Sequence, residues 1–172
     1  RLFVRSRMMA KSRFPWLMLL FTQPLWAAIS PAPLFQNGAV LQRDKPVPVW
    51  GKADPDSQIT VSFAGQNVTA KAGPRGRWQV NLTPMAASTE GRTLKITGTG
   101  QAAVEISDVV VGEVWLASGQ SNMQWSLSQS YHGDIEALAS SFPNLRIISV
   151  PQVGTQELQN DFKGQWESAT PE

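Results

Sequence analysis

The residues of this chain best suited to covalent chemistry lie together in Ser118-Gly119-Gln120-Ser121-Asn122-Met123. A serine hydroxyl becomes a nucleophile when a neighbouring base takes its proton. On a tight turn after a strand, Ser121 would project above a sheet edge, where open α/β sheets bind their ligands. Gly119 removes a Cβ from that turn. If a helix starts near Asn122, its first N–H groups lack intrahelical partners and can hold the oxyanion of an acyl-transfer intermediate, with Ser121 N–H as the first donor. Gly119, Gln120 and Asn122 are therefore candidate site-shaping residues. Trp125, four residues past Ser121, is a candidate wall for an acyl pocket. The same block could equally let Ser121 or Asn122 cap a helix, and the local pattern leaves both readings open. It is not the G-x-S-x-G turn of α/β-hydrolases, because position 123 is Met.

The remaining candidates are few. The chain has one histidine, His132, and no cysteine, so disulfides, thiolate nucleophiles and Cys- or His-rich metal sites are excluded within it. No metal or organic cofactor is expected. His132 lies in Ser130-Tyr131-His132-Gly133-Asp134, read as a surface loop leading to a helix N-cap at Asp134 rather than as the base. Asp134 and Glu136 read as first-turn acids that complement the helix dipole. Trp50, Trp78 and Trp115 are expected in the core rather than stacked on a sugar. The sequons at Asn67 and Asn81 are read as chance.

Two zones would have to position Ser121. Residues 33–108 read as β. Ile59, Val61 and Phe63 alternate with Thr60 and Ser62, and Trp78, Val80 and Leu82 alternate in the same way, the period of half-buried strands. Further short β-prone runs fall at residues 47–50, 68–72 and 94–97, separated by Gly-, Pro- and Asn-rich turns. This predicts a small antiparallel β-sandwich. Residues 108–117 (DVVVGEVWLA) form a dense apolar run, read as a strand covered on both faces. A helix over 134–141, ended by Pro143, and a buried strand over 145–150 would follow. Strand, turn, helix, strand is the opening of an α/β layer fold. Residues 109–172 are too few to close a doubly wound sheet.

The 172 residues carry 15 basic and 13 acidic side chains. Five of the basic ones, Arg1, Arg5, Arg7, Lys11 and Arg13, fall in the first 13 positions, and no acidic residue precedes position 29. Beyond residue 28 the balance is ten basic against 13 acidic, a net −3. The basic excess therefore belongs to a targeting segment, and no nucleic-acid surface is expected. Lys11 and Arg13 precede an eight-residue apolar run, residues 14–21, too short to span a bilayer. Small residues follow at Ala27, Ala28 and Ser30. The segment 1–28 reads as a secretory signal with upstream read-through, translation starting at Met8 or Met9, and the product as exported, periplasmic or secreted. The chain reads as a piece of a longer protein, and its oligomeric state is not legible.

SGQSNM preceded by GEVWLA resembles the nucleophile block of bacterial sialate O-acetylesterases, members of the SGNH-hydrolase group. The resemblance extends over residues 33–172: Leu34-Phe35, residues 37–43 (NGAVLQR), 46–51 (PVPVWG), 61–66 (VSFAGQ), 76–78 (GRW), Leu145-Arg146 and 166–172 (WESATPE). Ala39, Gln124 and Ser126 depart from the usual Met, Glu and Pro. The resemblance implies a β-sandwich followed by the first part of an SGNH-type α/β/α sandwich. It implies a serine esterase that removes O-acetyl groups from sialic acid or a related acetylated sugar through an acetyl-enzyme on Ser121. The family's base and its carboxylate partner come from an Asp-x-x-His pattern, which this chain lacks, so the chain alone is expected to be inactive. Two other readings are an esterase acting on acetylated xylan and a non-catalytic β-sandwich carbohydrate-binding module.

Overall fold

The computed structural model describes residues 28–159 and 161–171; the signal segment read over 1–28 lies, but for its last residue, outside them. The described chain is mostly strand. In order it forms β1 (Ser30–Pro31), β2 (Val40–Gln42), β3 (Val47–Lys52), β4 (Gln58–Phe63), β5 (Gln66–Lys71), β6 (Arg77–Leu82), β7 (Ser88–Gly98) and β8 (Gln101–Gly112). Two 3₁₀ turns (Ser121–Gln124 and Leu127–Gln129), helix α1 (Gly133–Ala139) and strands β9 (Phe142–Ile148) and β10 (Trp166–Ala169) complete it.

The strands make a three-stranded sheet, β1-β3-β6, a five-stranded sheet, β2-β8-β7-β4-β5, and the two-stranded ribbon β10-β9. The alternation in the sequence is the burial pattern: Ile59, Val61 and Phe63 on β4 and Trp78, Val80 and Leu82 on β6 all turn inward, with polar neighbours outward. These inner faces, with Val47, Val49, Leu94, Ile96, Ile106 and Val109, form one apolar cluster between the two larger sheets. Each such side chain contributes roughly 1.5–3 kcal/mol when fully buried. The β4–β5 hairpin closes through Ala64 and Gly65, both at positive φ (47° and 79°). That pair of left-handed residues matches the twist of the flanking strands. Across β7 and β8, Lys95 stands opposite Glu105 at 2.8 Å. That hydrogen bond, then the charge of Lys95, holds the Glu105 carboxyl below the usual carboxylate range.

Three expectations change. First, β2 runs parallel to β8, Val40 opposite Val110 and Gln42 opposite Gly112, so pairing is not purely antiparallel. A two-residue hairpin could not make that pair; the intervening strands provide the crossover. Second, the apolar run at 108–117 is not one covered strand. Val109, Val110 and Val111 are buried, but they finish β8, which runs unbroken across residue 108 and belongs to the five-stranded sheet. Among the described residues no strand pairs with the chain just beyond Gly112, and Trp115, expected in the core, is 86% exposed. Trp78, by contrast, is 3% exposed, and Trp50 packs half-buried, edge-on to Phe35. Third, β9 pairs antiparallel with β10 rather than joining a parallel sheet, and Leu145 and Ile147 face outward.

Gly76 gives the fold a direct test. Its φ is +71°, and a Cβ there would collide with the backbone carbonyl of Ala53. Gly65 has φ +79° with nothing near its would-be Cβ. A left-handed Ala costs roughly 1–2 kcal/mol in either place. Gly76→Ala is expected to lower the unfolding midpoint more than Gly65→Ala, because only the former must also move backbone; denaturant titration of the two variants measures the difference.

Candidate active site

The chain reaches the site from the end of β8. Two side chains beside β2 set its direction. Gln42 accepts from Val114 N–H at 3.0 Å through Oε1 and donates to Glu113 from Nε2 at 3.1 Å. Arg43 lies 3.7 Å from Glu113 and 2.6 Å from Asp44. The hydrogen bond to Asp44, then the charges of Asp44 and Glu113, push the Arg43 guanidinium further up from its already high value. Parallel pairing and this amide clamp together fix where the backbone leaves the sheet.

Past residues 113–120, which form neither helix nor strand, Ser121 opens the first 3₁₀ turn. Gln120 precedes it in an extended conformation and Trp125 ends it. Met123 N–H donates to Gln120 O at 2.9 Å and Trp125 N–H to Asn122 O at 3.3 Å. The N–H groups of Ser121 and Asn122 come before the first of these bonds and are the ones a helical turn leaves over. Gly119, Gln120, Ser121 and Asn122 are all exposed, and no hydrogen bond ties the Ser121 hydroxyl to another side chain among the described residues. The φ of Gly119 is not positive, and a Cβ there would sit 2.7 Å from Cγ of the exposed Met123 side chain, which would have to shift. Trp125 is 66% exposed beside the turn.

The helix near Asn122 is thus a single 3₁₀ turn. The two departures next to it each have a local partner. Gln124 donates to Gln152 at 3.0 Å. Ser126 caps the second turn, its N–H and hydroxyl donating to Gln129 Oε1 at 3.0 and 3.2 Å. Gly133 then packs so closely on Leu127 that any Cβ would overlap the Leu127 carbonyl. The N-cap of α1 is His132, not Asp134; His132 holds φ 55° and its ring lies 3.9 Å from that of Tyr131. Asp134 and Glu136 lie in the first turn as expected, where acids suit the dipole. Among the described residues no group of three or more His, Asp or Glu could hold a metal ion.

A residue that sequence reasoning left without a role fastens the region from behind. Arg146 on β9 is 11% exposed in its side chain and donates to Asp108 O at 2.6 Å and to its carboxylate at 3.1 Å. Asp108 sits at φ 55° in a bulge of β8, where Arg92 pairs with Val109 but Leu94 with Ile106. Trp166 Nε1 donates to Leu34 O at 2.9 Å, and Gln36 donates to Gly164 O at 2.9 Å. The β9–β10 ribbon is therefore tied to the start of the sheet domain and to the strand that leads to Ser121.

No family model matches the chain. It is 32% identical over 141 residues to the sialate O-acetylesterase of Mus musculus, covering 76% of this chain and 26% of that protein. It is 30% identical over 158 residues to the Homo sapiens sialate O-acetylesterase, covering 82% and 29%. A crystal structure of a carbohydrate acetylesterase from Xanthomonas citri superposes with a TM-score of 0.78 at 40% identity, covering 84% of this chain and 33% of that one. The chain spans about a quarter of the length of the curated relatives it matches.

The Arg146 clasp predicts a local effect. Arg146→Ala removes charge-assisted bonds worth roughly 1.5–3 kcal/mol when shielded, less here because Asp108 faces solvent. Amides of β9 and β10 are expected to exchange with deuterium faster, by up to about tenfold, while those of β4 and β6 keep their protection.

Proposed function

The chain belongs to the sialate O-acetylesterase family, and on that premise we propose that it carries the nucleophile of a carbohydrate O-acetylesterase. The observation that carries the proposal is Ser121 itself: an exposed hydroxyl at the head of a turn whose first two N–H groups are left over, on the segment launched from the end of β8. Ser121 Oγ attacks the carbonyl carbon of an O-acetyl group on sialic acid or a related sugar as a base takes its proton. The Ser121 N–H, with Asn122 N–H beside it, stabilises the oxyanion. The C–O bond to the sugar breaks, and the sugar oxygen leaves with the proton returned by the base. Water, activated by the same base, then attacks the acetyl-enzyme, and acetate departs as Ser121 regains its proton. Gly119 and Gln120 shape the approach and Trp125 walls the acetyl pocket.

His132, the N-cap residue of α1 beside Tyr131, is not the base in this reading. The family's Asp-x-x-His pattern has no counterpart in this sequence, so the complete site needs polypeptide beyond these 172 residues. The apolar side chains left open after Gly112, Trp115, Leu116, Leu138 and Leu158 among them, support the same reading. Among the described residues, every large apolar side chain that is exposed lies after Gly112, as a face awaiting cover would show. The two sheets on one core are then the β-sandwich, and residues 113–171 the first part of an SGNH-type α/β/α layer, its open face to be covered by the rest. No described helix is long and apolar enough to cross a membrane; export is proposed on the residue 1–28 pattern alone.

Two outcomes test this. Ser121→Ala in the full-length protein is expected to lower hydrolysis of an O-acetylated sialic acid by at least about 10³, since losing a triad member commonly removes more than that; a rate within tenfold of the unaltered protein would refute the nucleophile. The 172-residue chain alone is expected to give no Ser121-dependent release of acetate.

A further inference from the structure

We propose that the outer face of the three-stranded sheet is a second sugar site, one that takes an acidic sugar. The face carries a cleft of about 400 Å³, within the range of small-ligand sites, lined by Trp50, Lys52, Arg77 and Gln79 together with the Ser30–Pro33 stretch. Register puts these four side chains in two adjacent rows: Trp50 opposite Gln79, and Lys52 opposite Arg77. Alternation turns these four away from Val49 and Val80, although Trp50 also packs half-buried against the core cluster and the core residue Trp78 reaches the cleft too.

The charge pattern is what singles the cleft out. Like charges directly opposite on paired strands are destabilising, yet Lys52 and Arg77 face each other. Among the described residues neither makes an ion pair or a side-chain hydrogen bond; the ion pairs of this chain all involve other cations. Asp161 also lines the cleft, its carboxylate accepting from the neighbouring Phe162 N–H, so Lys52, Arg77 and Asp161 together leave one formal positive charge there. A carboxylate set between Lys52 and Arg77 would relieve their repulsion and gain charge-assisted bonds. One row away, the half-buried Trp50 ring, braced edge-on by Phe35 at 4.9 Å, offers an apolar face to a pyranose ring, and the Gln79 amide offers a donor and an acceptor to its hydroxyls. Ring, amide and paired cations side by side fit a sugar bearing a carboxylate better than a neutral sugar or a bare anion. The site stands on this geometry and not on the Ser121 reading.

The test is a nitrogen-15 NMR titration of the full-length protein with free N-acetylneuraminic acid, which bears the carboxylate but no acetyl ester, and with neutral N-acetylmannosamine. The Trp50 indole signal, assigned by its loss in Trp50→Phe, is expected to shift saturably with the acidic sugar alone. Lys52→Gln with Arg77→Gln is expected to weaken that binding about tenfold or more, because each lost contact is charge-assisted. Since both side chains are exposed and repel one another, the double variant is expected to unfold no earlier than the unaltered protein, which separates lost binding from lost fold. An unmoved Trp50 signal, equal response to the neutral sugar, or unchanged affinity in the double variant would each overturn the proposal. Ser121→Ala is titrated in parallel: it is expected to bind equally at Trp50, so a failure of the esterase reading and a failure of this site give different results.

Discussion

The contact that joins the β9–β10 ribbon to the strand leading toward Ser121 is the guanidinium of Arg146 on Asp108. At residues 107–108 the five-stranded sheet carries a bulge that gathers contacts from three parts of the chain. Asn37 accepts from Ser107 N–H at 2.8 Å, Gly38 N–H donates to Ser107 O at 3.1 Å, and Arg146 covers Asp108. From β7 comes Gly91, where any Cβ would strike the Asp108 carboxylate. A bulge bends its strand and re-aims the backbone beyond it. Here it is secured on three sides before Val109–Val111 enter the core. The strand's end, and with it the position from which the chain sets out toward Ser121, inherits that rigidity.

This arrangement divides the molecule by the kind of force that holds it. Up to Gly112, burial dominates: two sheets enclose a continuous apolar cluster, and few polar groups are involved. After Gly112, directional polar contacts carry the structure: the Gln42 clamp, the Ser126–Gln129 cap, the Gln124–Gln152 bond and the Arg146 and Trp166 fastenings. Apolar residues in that second part, Trp125 and Leu138 among them, contribute little to its own stability because they face outward. Ser121, the proposed nucleophile, is exposed on this segment, which the end of β8 launches.

The sheets were legible because period-two alternation is read residue by residue: Ile59 to Phe63 and Trp78 to Leu82 could be assigned inward and outward from sequence alone. The end of β8 was not. An apolar run such as residues 109–116 reads as one buried strand, since hydrophobicity cannot say that cover stops at Gly112. The same limit misplaced Trp115 and made the strand around Leu145 look buried. Arg146 was invisible for a different reason. Its role depends on the left-handed Asp108, 38 positions away, and no local pattern encodes that pairing. Ser121 was legible as a candidate from its glycine-containing turn, and the family resemblance singled it out from an ordinary helix cap. The α1 N-cap lies two residues earlier than Asp134, at the left-handed His132, just before Gly133 meets the Leu127 carbonyl, a contact 6 residues away that capping preference does not register.

Whether Ser121 is a nucleophile rather than a cap is tested most directly by treating the full-length protein with a fluorophosphonate, which phosphonylates only activated serines, and mapping the adduct by mass spectrometry. A nucleophilic Ser121 predicts stoichiometric labelling at that residue, blocked by an O-acetylated sugar and absent when the protein is unfolded. An adduct on a different serine, or none on a protein that still hydrolyses acetyl esters, would contradict it.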